Sequence, residues 1–209
     1  MTSSTRSTLP LSAVNELQHD TSPKNIAAAR AEIATIVGDG AITDHKDELE
    51  RHTSTDWSSY PPRPQDEPSF VVFPTSTAQV SEVVKVCHRR RVPVVAFSAG
   101  TSLEGHFANL YHGISLDLSR MNKILAVNHS DFDAVVQPGV TYTELNEALA
   151  KDNLFFPPDP GPGAMIGGSR QLQEFCLPQG MTLEIKTSVA SQIAHPPAPV
   201  LNLSVSGHS

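Results

Sequence analysis

Residues 98–106, S-A-G-T-S-L-E-G-H, bring two glycines, two serines and a threonine together in one short stretch. Residues of these types adopt unusual backbone angles or form local hydrogen bonds, so successive backbone N–H groups can converge on one anion. This chemistry suits a phosphate group. A loop of small residues is also a common form of tight turn, and the residues by themselves leave both interpretations open.

Known phosphate-binding motifs do not fit this loop. Gly100 and Gly105 have the spacing of a P-loop, but His106 and Phe107 stand where that motif needs Lys and Ser/Thr. The dinucleotide motif G-x-G-x-x-G is also missing, because Ser102 occupies the place of its second glycine. A nucleotide bound here is therefore held by neither a P-loop nor a Rossmann domain.

Other catalytic and metal motifs are missing from the sequence. None of the nine histidines and two cysteines falls in a spacing typical of metal ligands. No G-x-S-x-G nucleophile motif occurs either. We therefore expect no metal site, and spacing alone identifies no catalytic residue.

The elements around the loop predict how it is positioned. Residues 93–97, P-V-V-A-F, and residues 70–73, F-V-V-F, predict two strands buried on both faces. Between them, Ser76 and Gln79 predict a capping box for a helix whose apolar face includes Cys87. This order predicts a β-α-β unit with parallel strands. The loop then leaves the carboxyl end of the second strand, where ligands bind in open α/β sheets.

The segment in front of this unit predicts two helices and a linker. Ser22 is expected to cap a helix that begins at Pro23 and ends before Gly38. Thr43 is expected to cap a short helix that ends at Arg51. Residues 52–68 are polar and rich in proline, which predicts a linker.

The segment after the loop predicts a second small sheet and a helix. Residues 114–118 alternate as in a half-buried strand, and short apolar runs at 124–127 and 134–136 predict two further strands. Thr141 and Glu144 predict a second capping box. Four prolines in residues 155–163 then predict an irregular loop of fixed shape.

Composition limits the classes of function. In 209 residues, 39% are hydrophobic, which is enough for a core, and the net charge of −7 with scattered basic residues predicts no nucleic-acid surface. No apolar run approaches the roughly 20 residues of a membrane helix, so no membrane span is expected. Cys87 and Cys176 are far apart and are expected to be buried thiols rather than a disulfide.

Five motifs in order carry a family resemblance: W-S-S-Y-P-P-R-P, P-S-F-V-V-F-P, F-S-A-G-T-S-L-E-G-H, V-Q-P-G-V and P-P-D-P-G-P-G-A-M-I-G-G. Together they resemble the FAD-binding domain of the vanillyl-alcohol oxidase (PCMH-type) superfamily, and especially the mitochondrial D-lactate dehydrogenases (cytochrome). The resemblance runs from Asp44 to Gly168. It implies an α+β fold: the N-terminal part of a PCMH-type FAD-binding domain, with a small parallel β-α-β subdomain, the start of a second sheet, N-terminal helices and an irregular C-terminal tail.

The resemblance also implies where FAD binds. Residues 98–106 correspond to the loop whose backbone amides hold the FAD pyrophosphate, and residues 158–168 to the segment along the adenosine part. Gly105 is expected where the backbone approaches the phosphate, and Thr101 replaces the histidine of covalently flavinylated relatives, so FAD is expected to be non-covalent. The implied FAD-binding residues are Ser98, Ala99, Gly100, Thr101, Ser102, Leu103, Gly105, His106, Pro158, Pro160, Gly161, Ala164, Ile166, Gly167 and Gly168.

By the same resemblance, the expected function is an FAD-dependent oxidoreductase that oxidises D-2-hydroxy acids, such as D-lactate to pyruvate, and passes electrons to cytochrome c. Relatives continue after I-G-G with a Gly/Ser/Asn-rich segment and a substrate domain, which residues 169–209 do not resemble. We therefore expect an inactive fragment, truncated after Gly168 by a shifted reading frame, a retained intron or a misassigned exon. The alternative is a non-catalytic nucleotide- or anion-binding module that uses the same loop.

These expectations divide the chain into four segments. Residues 1–21 are expected to be a disordered N-terminus, 22–67 the helices and linker, 68–168 a partial FAD-binding domain and 169–209 a disordered tail outside the family fold. The resemblance implies a mitochondrial location. Residues 1–20 contain only one arginine, Arg6, and give no evident targeting signal.

Overall fold

A computed structural model describes residues 19–56, 58–130, 133–158, 161–169 and 184–187. The predictions of a disordered N-terminus and of a buried Cys176 lie outside these residues, apart from the short stretch 19–21. The helices and strands are α1 (Pro23–Val37), β1 (Ile42–Thr43), α2 (Lys46–Arg51), β2 (Val71–Val72), α3 (Thr77–Arg90), β3 (Val94–Phe97), β4 (Ile114–Asp117), β5 (Ile124–Asn128), β6 (Asp133–Val136), α4 (Tyr142–Leu149), α5 (Ile166–Ser169) and β7 (Glu184–Thr187).

The first sheet contains the predicted β-α-β unit. Its strand order is β1-β2-β4-β3, and β2 and β3 both run parallel to β4, which lies between them. The prediction of parallel strands joined by a crossing helix is therefore confirmed. Strand β1 pairs with β2 in the antiparallel direction and closes one edge.

Two burial predictions for this sheet are wrong. Strand β3 was expected to be buried on both faces, but it lies at the edge of the sheet and Ala96 is exposed. Strand β4 was expected to be half-buried, but all four of its residues are buried. The reason is the strand order, since β4 has a partner on each side and β3 has one among the described residues.

Helices α1 and α3 cover the first sheet. Ile33 of α1 and Val83 of α3 are completely buried in one cluster with Phe70, Ile114 and Met121. Burial of apolar side chains of this size contributes about 1.5–3 kcal/mol each, so this cluster supplies much of the fold's stability. The carboxylate of Glu32 on α1 also binds the guanidinium groups of Arg89 and Arg90 on α3.

The predicted helix starts agree with the structure in part. Ser22 occupies the N-cap position of α1, but its hydroxyl donates a hydrogen bond to Asp20 instead of capping the helix. The prediction that Thr43 caps α2 is wrong, because α2 begins at Lys46 and His45 is its N-cap residue.

The two predicted capping boxes also differ. At α4, the Thr141 N–H donates to Glu144 and the Glu144 N–H donates to Thr141, which confirms the box. At α3, Ser76 accepts from the Gln79 N–H as predicted. The Gln79 side chain, however, accepts from the N–H of Thr75, so the predicted box is only half formed.

The second sheet has the order β5-β6-β7, with β5 antiparallel and β7 parallel to β6. Helix α4 packs on it through Leu145 and Leu149, which share a buried cluster with Val136 and Ile166. The expectation of an irregular tail is wrong for residues 184–187, which form β7. A four-residue strand is specified by backbone pairing with β6 rather than by its own short pattern, so residues 184–187 carry no clear strand signal. No helix in the described part of the chain is long and apolar enough to cross a membrane.

Candidate functional site

The 98–106 loop begins directly after β3, at the carboxyl end of the parallel strands. Gly100 and Gly105 have φ angles of 64° and 66°, in the left-handed region that favours glycine. The unusual backbone angles expected from the composition are therefore present. The chain bends at residues 98–99 and turns at residues 103–104 and 106–107.

Several backbone N–H groups of the loop have no acceptor in the part of the chain that the structure describes. Among the described residues, none accepts a hydrogen bond from the N–H groups of residues 99–103. Five consecutive donors of this kind can bind an anion, since partial positive charges converge where the backbone curves. The loop itself contains no lysine or arginine. Binding would therefore depend on these backbone dipoles.

An upstream segment, residues 55–60, holds the loop from one side. The backbone N–H and the hydroxyl of Ser59 both donate to the Leu103 carbonyl oxygen at 2.7 Å. The hydroxyl of Thr55 donates to the Gly100 carbonyl oxygen at 3.2 Å. Because a trans peptide places its C=O and N–H on opposite sides, fixing the Gly100 carbonyl turns the N–H of Thr101 away from the 55–60 segment.

Tyr60 lies against the second glycine of the loop. A Cβ added at Gly105 would lie 2.7 Å from the Cβ of Tyr60. The approach of the Gly105 backbone to phosphate stays a prediction, and the structure gives a second reason for glycine here, because a side chain would point at Tyr60. Within the protein, this close contact determines the need for glycine.

The hydroxyl of Tyr60 donates a hydrogen bond of 2.9 Å to Asp66, which is completely buried. Arg63 donates to the same carboxylate through its backbone N–H and its guanidinium group. Burial would raise the pKa of Asp66, but the hydrogen bonds from Arg63 and Tyr60 outweigh it and lower the pKa below its ordinary value of 3.8. The network keeps the Tyr60 ring fixed behind the loop.

The second predicted binding segment meets the loop at α5. The hydroxyl of Ser98 donates to the sulfur of Met165 at 3.4 Å. A Cβ added at Gly168 would lie 3.9 Å from the hydroxyl oxygen of Thr101. The structure thus places residues 165–168 beside residues 98–101. A ligand lying on one segment would lie close to the other.

The V-Q-P-G-V motif fixes the position of α5. The N–H of Gly167 donates to the Pro138 carbonyl oxygen and the N–H of Ile166 to that of Val140, each at 2.8 Å. A Cβ at Gly167 would lie 2.7 Å from the Cβ of Pro138, so this glycine permits close packing. The N–H of Gly139 in turn donates to the Met121 carbonyl oxygen at 2.8 Å, which ties the motif to the end of the first sheet.

For several predicted site residues, the side chain does not lie against the loop. Ala164 and Ile166 are buried, and Ile166 packs in the second hydrophobic cluster, so ligand contact is left to their backbone. No hydrogen bond joins Pro158 or Gly161 to the loop among the described residues. Pro160 lies outside the described residues.

Ser102 and His106 stabilise the loop internally. The hydroxyl oxygen of Ser102 accepts from the N–H groups of Glu104 and His106 and lies 3.2 Å from the Nδ1 of His106. Because the hydroxyl already accepts twice, its proton is directed to that ring nitrogen. No three His, Cys, Asp or Glu side chains in the described ranges are grouped so as to hold a metal ion.

Residues 68–187 match a protein family described as the FAD binding domain. The chain belongs to this family. The match confirms FAD as the cofactor, and the row of N–H groups at residues 99–103 fits the pyrophosphate of that cofactor. The matched region of the FAD binding domain extends beyond Gly168 and includes β7, so the family sequence continues past the boundary expected from the motifs.

Curated relatives of the FAD binding domain include two yeast enzymes. This chain is 38% identical to "D-lactate dehydrogenase [cytochrome] 1, mitochondrial" of Saccharomyces cerevisiae over 167 residues, which are 78% of this chain and 28% of the relative. It is 45% identical to the Kluyveromyces lactis "D-lactate dehydrogenase [cytochrome], mitochondrial" over 130 residues, 61% of this chain and 23% of the relative.

A bacterial relative is a glycolate oxidase subunit of Escherichia coli, 39% identical over 121 residues, 56% of this chain and 24% of the relative. The chain thus spans between 23% and 28% of the length of these curated relatives.

Solved structures confirm the predicted α+β, PCMH-type fold of the FAD binding domain. p-Cresol methylhydroxylase with substrate bound matches with a TM-score of 0.56 and 27% identity, over 64% of this chain and 26% of that chain. Alkyldihydroxyacetonephosphate synthase matches with a TM-score of 0.62 over 72% of this chain and 32% of that chain. Its identity is 22%, so this second likeness concerns the fold alone.

Proposed function

We propose that this chain supplies the pyrophosphate-binding part of an FAD site in an oxidoreductase of the cytochrome-linked D-lactate dehydrogenase type. The observation that carries the proposal is the row of N–H groups at residues 99–103, which have no acceptor among the described residues. It lies at the carboxyl end of β3, where an open sheet places its ligands. The five donors offset the charge of a diphosphate without a basic side chain.

The two segments at the site have different roles in this proposal. The backbone of residues 99–103 binds the pyrophosphate, and the hydroxyls of Ser98 and Thr101 stand beside it. Residues 164–168 lie along the adenosine part, with Gly168 close enough to Thr101 for one ligand to contact both. The 55–60 segment orients the donors by holding the carbonyl groups of Gly100 and Leu103.

When bound, FAD supplies the two-electron acceptor for the reaction. The relatives named D-lactate dehydrogenase support D-lactate and similar D-2-hydroxy acids as substrates, a cytochrome as the electron acceptor and mitochondria as the location. The glycolate oxidase subunit supports the wider class of small 2-hydroxy acids. We propose that substrate oxidation takes place outside the described residues and that the chain alone does not turn over.

Ligand binding to the complete 209-residue chain tests the proposal. Calorimetric titrations with FAD, ADP and riboflavin separate the parts of the cofactor, because riboflavin lacks the pyrophosphate. We expect FAD and ADP to bind and riboflavin to bind far more weakly. Riboflavin affinity equal to that of FAD would overturn the assignment of the loop. Equal affinities for FAD and ADP would favour the alternative of a nucleotide-binding module without a flavin function.

Two matched variants of one residue test the backbone donors. Thr101→Pro removes one N–H group, whereas Thr101→Ala removes the hydroxyl and keeps that N–H. A hydrogen bond to a charged group contributes about 1.5–3 kcal/mol, so we expect Thr101→Pro to weaken ADP binding by at least about tenfold relative to Thr101→Ala. Equal ADP affinities in the two variants would show that this N–H group does not bind phosphate.

A further inference from the structure

A histidine lies buried beneath the 98–106 loop. His52 follows the last residue of α2, and its side chain is completely buried. Its Nδ1 lies 2.7 Å from the carbonyl oxygen of Glu48, and its Nε2 lies 2.9 Å from an oxygen of Asp117 on β4. Asp117 is only 4% exposed, and its second oxygen accepts from the N–H of Ser119. In the sequence, His52 stands at the start of the predicted linker and belongs to no motif that marks it as functional.

The contacts of His52 require one proton on Nδ1 and one between Nε2 and Asp117. A carbonyl oxygen only accepts hydrogen bonds, so Nδ1 must donate to Glu48. A carboxylate also only accepts, so the contact between Nε2 and Asp117 requires a second proton between them. His52 and Asp117 therefore form a buried hydrogen-bonded pair that shares this proton. Removing one partner of such a pair is costly, because the other is left buried without compensation.

The charged groups that face this pair are few. The carboxylate of Glu48, on α2, lies 3.8 Å from the Nδ1 of His52 and is itself paired with Arg51 at 2.8 Å. From the sheet side, the neighbours of the His52 ring are the aromatic rings of Phe73 and Phe97. The pair is thus enclosed mainly by apolar rings, which fixes the histidine in one orientation.

The His52 ring supports the floor of the loop. Its centroid lies 4.0 Å from that of Phe97, the last residue of β3. A Cβ added at Gly100 would lie 2.9 Å from the Cζ of Phe97, so the loop rests directly on this ring. Phe97 also contacts Phe107 edge to face at 5.5 Å, just beyond the other end of the loop. A displacement of the His52 ring would therefore shift Phe97, which contacts residues at both ends of the loop.

We propose that His52 is a positioning residue for the phosphate-binding loop and that the proton it shares with Asp117 holds it in place. Through its contact with Phe97, the His52 ring holds Gly100 in the position in which the N–H groups of residues 99–103 face the ligand. The assignment of the ligand rests on the proposed function. The support of the loop by His52 does not, and it is measured without ligand.

Three variants separate this role from simple packing. His52→Phe keeps an aromatic ring and removes both N–H donors. Asp117→Leu keeps a similar volume and leaves Nε2 without a partner. Asp117→Asn keeps the shape and can donate an amide hydrogen to a neutral His52, so it is the conservative rescue.

Two measurements by nuclear magnetic resonance give the decisive readouts. The imidazole spectrum should show protons on both ring nitrogens of His52 in the natural protein and on one ring nitrogen in Asp117→Asn. The loop is followed by exchange of the Ser59 amide hydrogen, which is bonded to Leu103, against that of Leu145 in the second cluster as a control for global stability. A loss of global stability alone would speed up hydrogen exchange at both amides by the same factor.

We expect Ser59 to exchange about tenfold faster, relative to Leu145, in Asp117→Leu and His52→Phe, because an unsatisfied or missing buried partner favours local opening. Asp117→Asn should stay within about twofold of the natural protein, and ADP affinity should follow the same order. A single ring proton on His52 in the natural protein, or unchanged Ser59 exchange in Asp117→Leu, would overturn the inference. Should His52→Phe fail to fold, Asp117→Leu and Asp117→Asn decide the question. Should the natural protein not bind ADP, the proposed function fails, while the exchange rates still decide the role of His52.

Discussion

The contact between Gly105 and Tyr60 predicts a large effect of one added methyl group. In Gly105→Ala, the new Cβ would lie 2.7 Å from the Cβ of Tyr60 and 3.1 Å from its Cγ. The residue would also keep a φ of 66°, and an L-residue in the left-handed region costs roughly 1–2 kcal/mol. Overpacking adds about 1–3 kcal/mol. We expect the free energy of unfolding to fall by about 2–5 kcal/mol.

Two other glycines provide matched controls for this prediction. Gly163 has a φ of 79° but no atom within 4 Å of an added Cβ, so Gly163→Ala carries the backbone cost without the contact. Gly161 has open space and no positive φ, so Gly161→Ala carries neither. Urea unfolding followed by circular dichroism measures the loss of unfolding free energy. We expect this loss to be largest in Gly105→Ala, smaller in Gly163→Ala and smallest in Gly161→Ala.

The same variants separate stability from ligand binding. If Tyr60 holds the loop, Gly105→Ala must displace either the ring or the loop, and ADP affinity should fall while Gly163→Ala retains it. Equal losses of unfolding free energy in Gly105→Ala and Gly163→Ala would refute the reasoning, because the contact with Tyr60 would then contribute nothing. An unchanged ADP affinity in a strongly destabilised Gly105→Ala would show that Tyr60 acts on stability alone.

Three further predictions concern other groups of the fold. Burial raises the pKa of the Cys87 thiol to about 12, so in a Cys176→Ser protein it should resist a thiol reagent at pH 8 until urea unfolds the chain; labelling of the folded protein would contradict this. Burial alone would raise the pKa of Asp66, but its hydrogen bonds lower it, so its stabilisation is present above the ordinary value of 3.8 and is lost as pH falls through the lower folded value. The unfolding free energy of Asp66→Asn should therefore depend less on pH below about 4 than that of the natural protein, and equal slopes would exclude this contribution. Thr141→Ala should lower the unfolding free energy by about 1 kcal/mol through loss of the helix cap, with Thr143→Ala as a control that keeps the cap.

Local signals predicted much of the fold. The start of α1 at Pro23 and the capping box at Thr141 and Glu144 depend on residues within one helical turn, and both are present in the structure. The loop after β3 was predicted for the same reason, since a strand followed by glycines needs no distant information. The start of helix α2 was predicted two residues too early, because the hydroxyl of Thr43 accepts a hydrogen bond from the His45 N–H in a turn before the helix.

Burial in the first sheet depended on contacts that spacing does not show. Asp117 gives β4 an alternating, half-exposed pattern, but its carboxylate is satisfied by His52, 65 positions earlier in the chain. The apolar run of β3 suggested a central strand, yet strand order places it at the edge. Thr55, Ser59 and Tyr60 were assigned to a linker for the same reason, although the W-S-S-Y motif was a signal that this segment belongs to the site.

The 55–60 segment changes where the domain should be considered to begin. The family match starts at residue 68, and a protein cut there would contain β3 and the whole phosphate-binding loop. It would lack the hydroxyls that hold the Gly100 and Leu103 carbonyl groups, and the ring that lies behind Gly105. The smallest piece of this chain that can keep the loop in shape therefore starts before the family match does, ahead of both Thr55 and His52, and domain limits drawn from family similarity would divide the site.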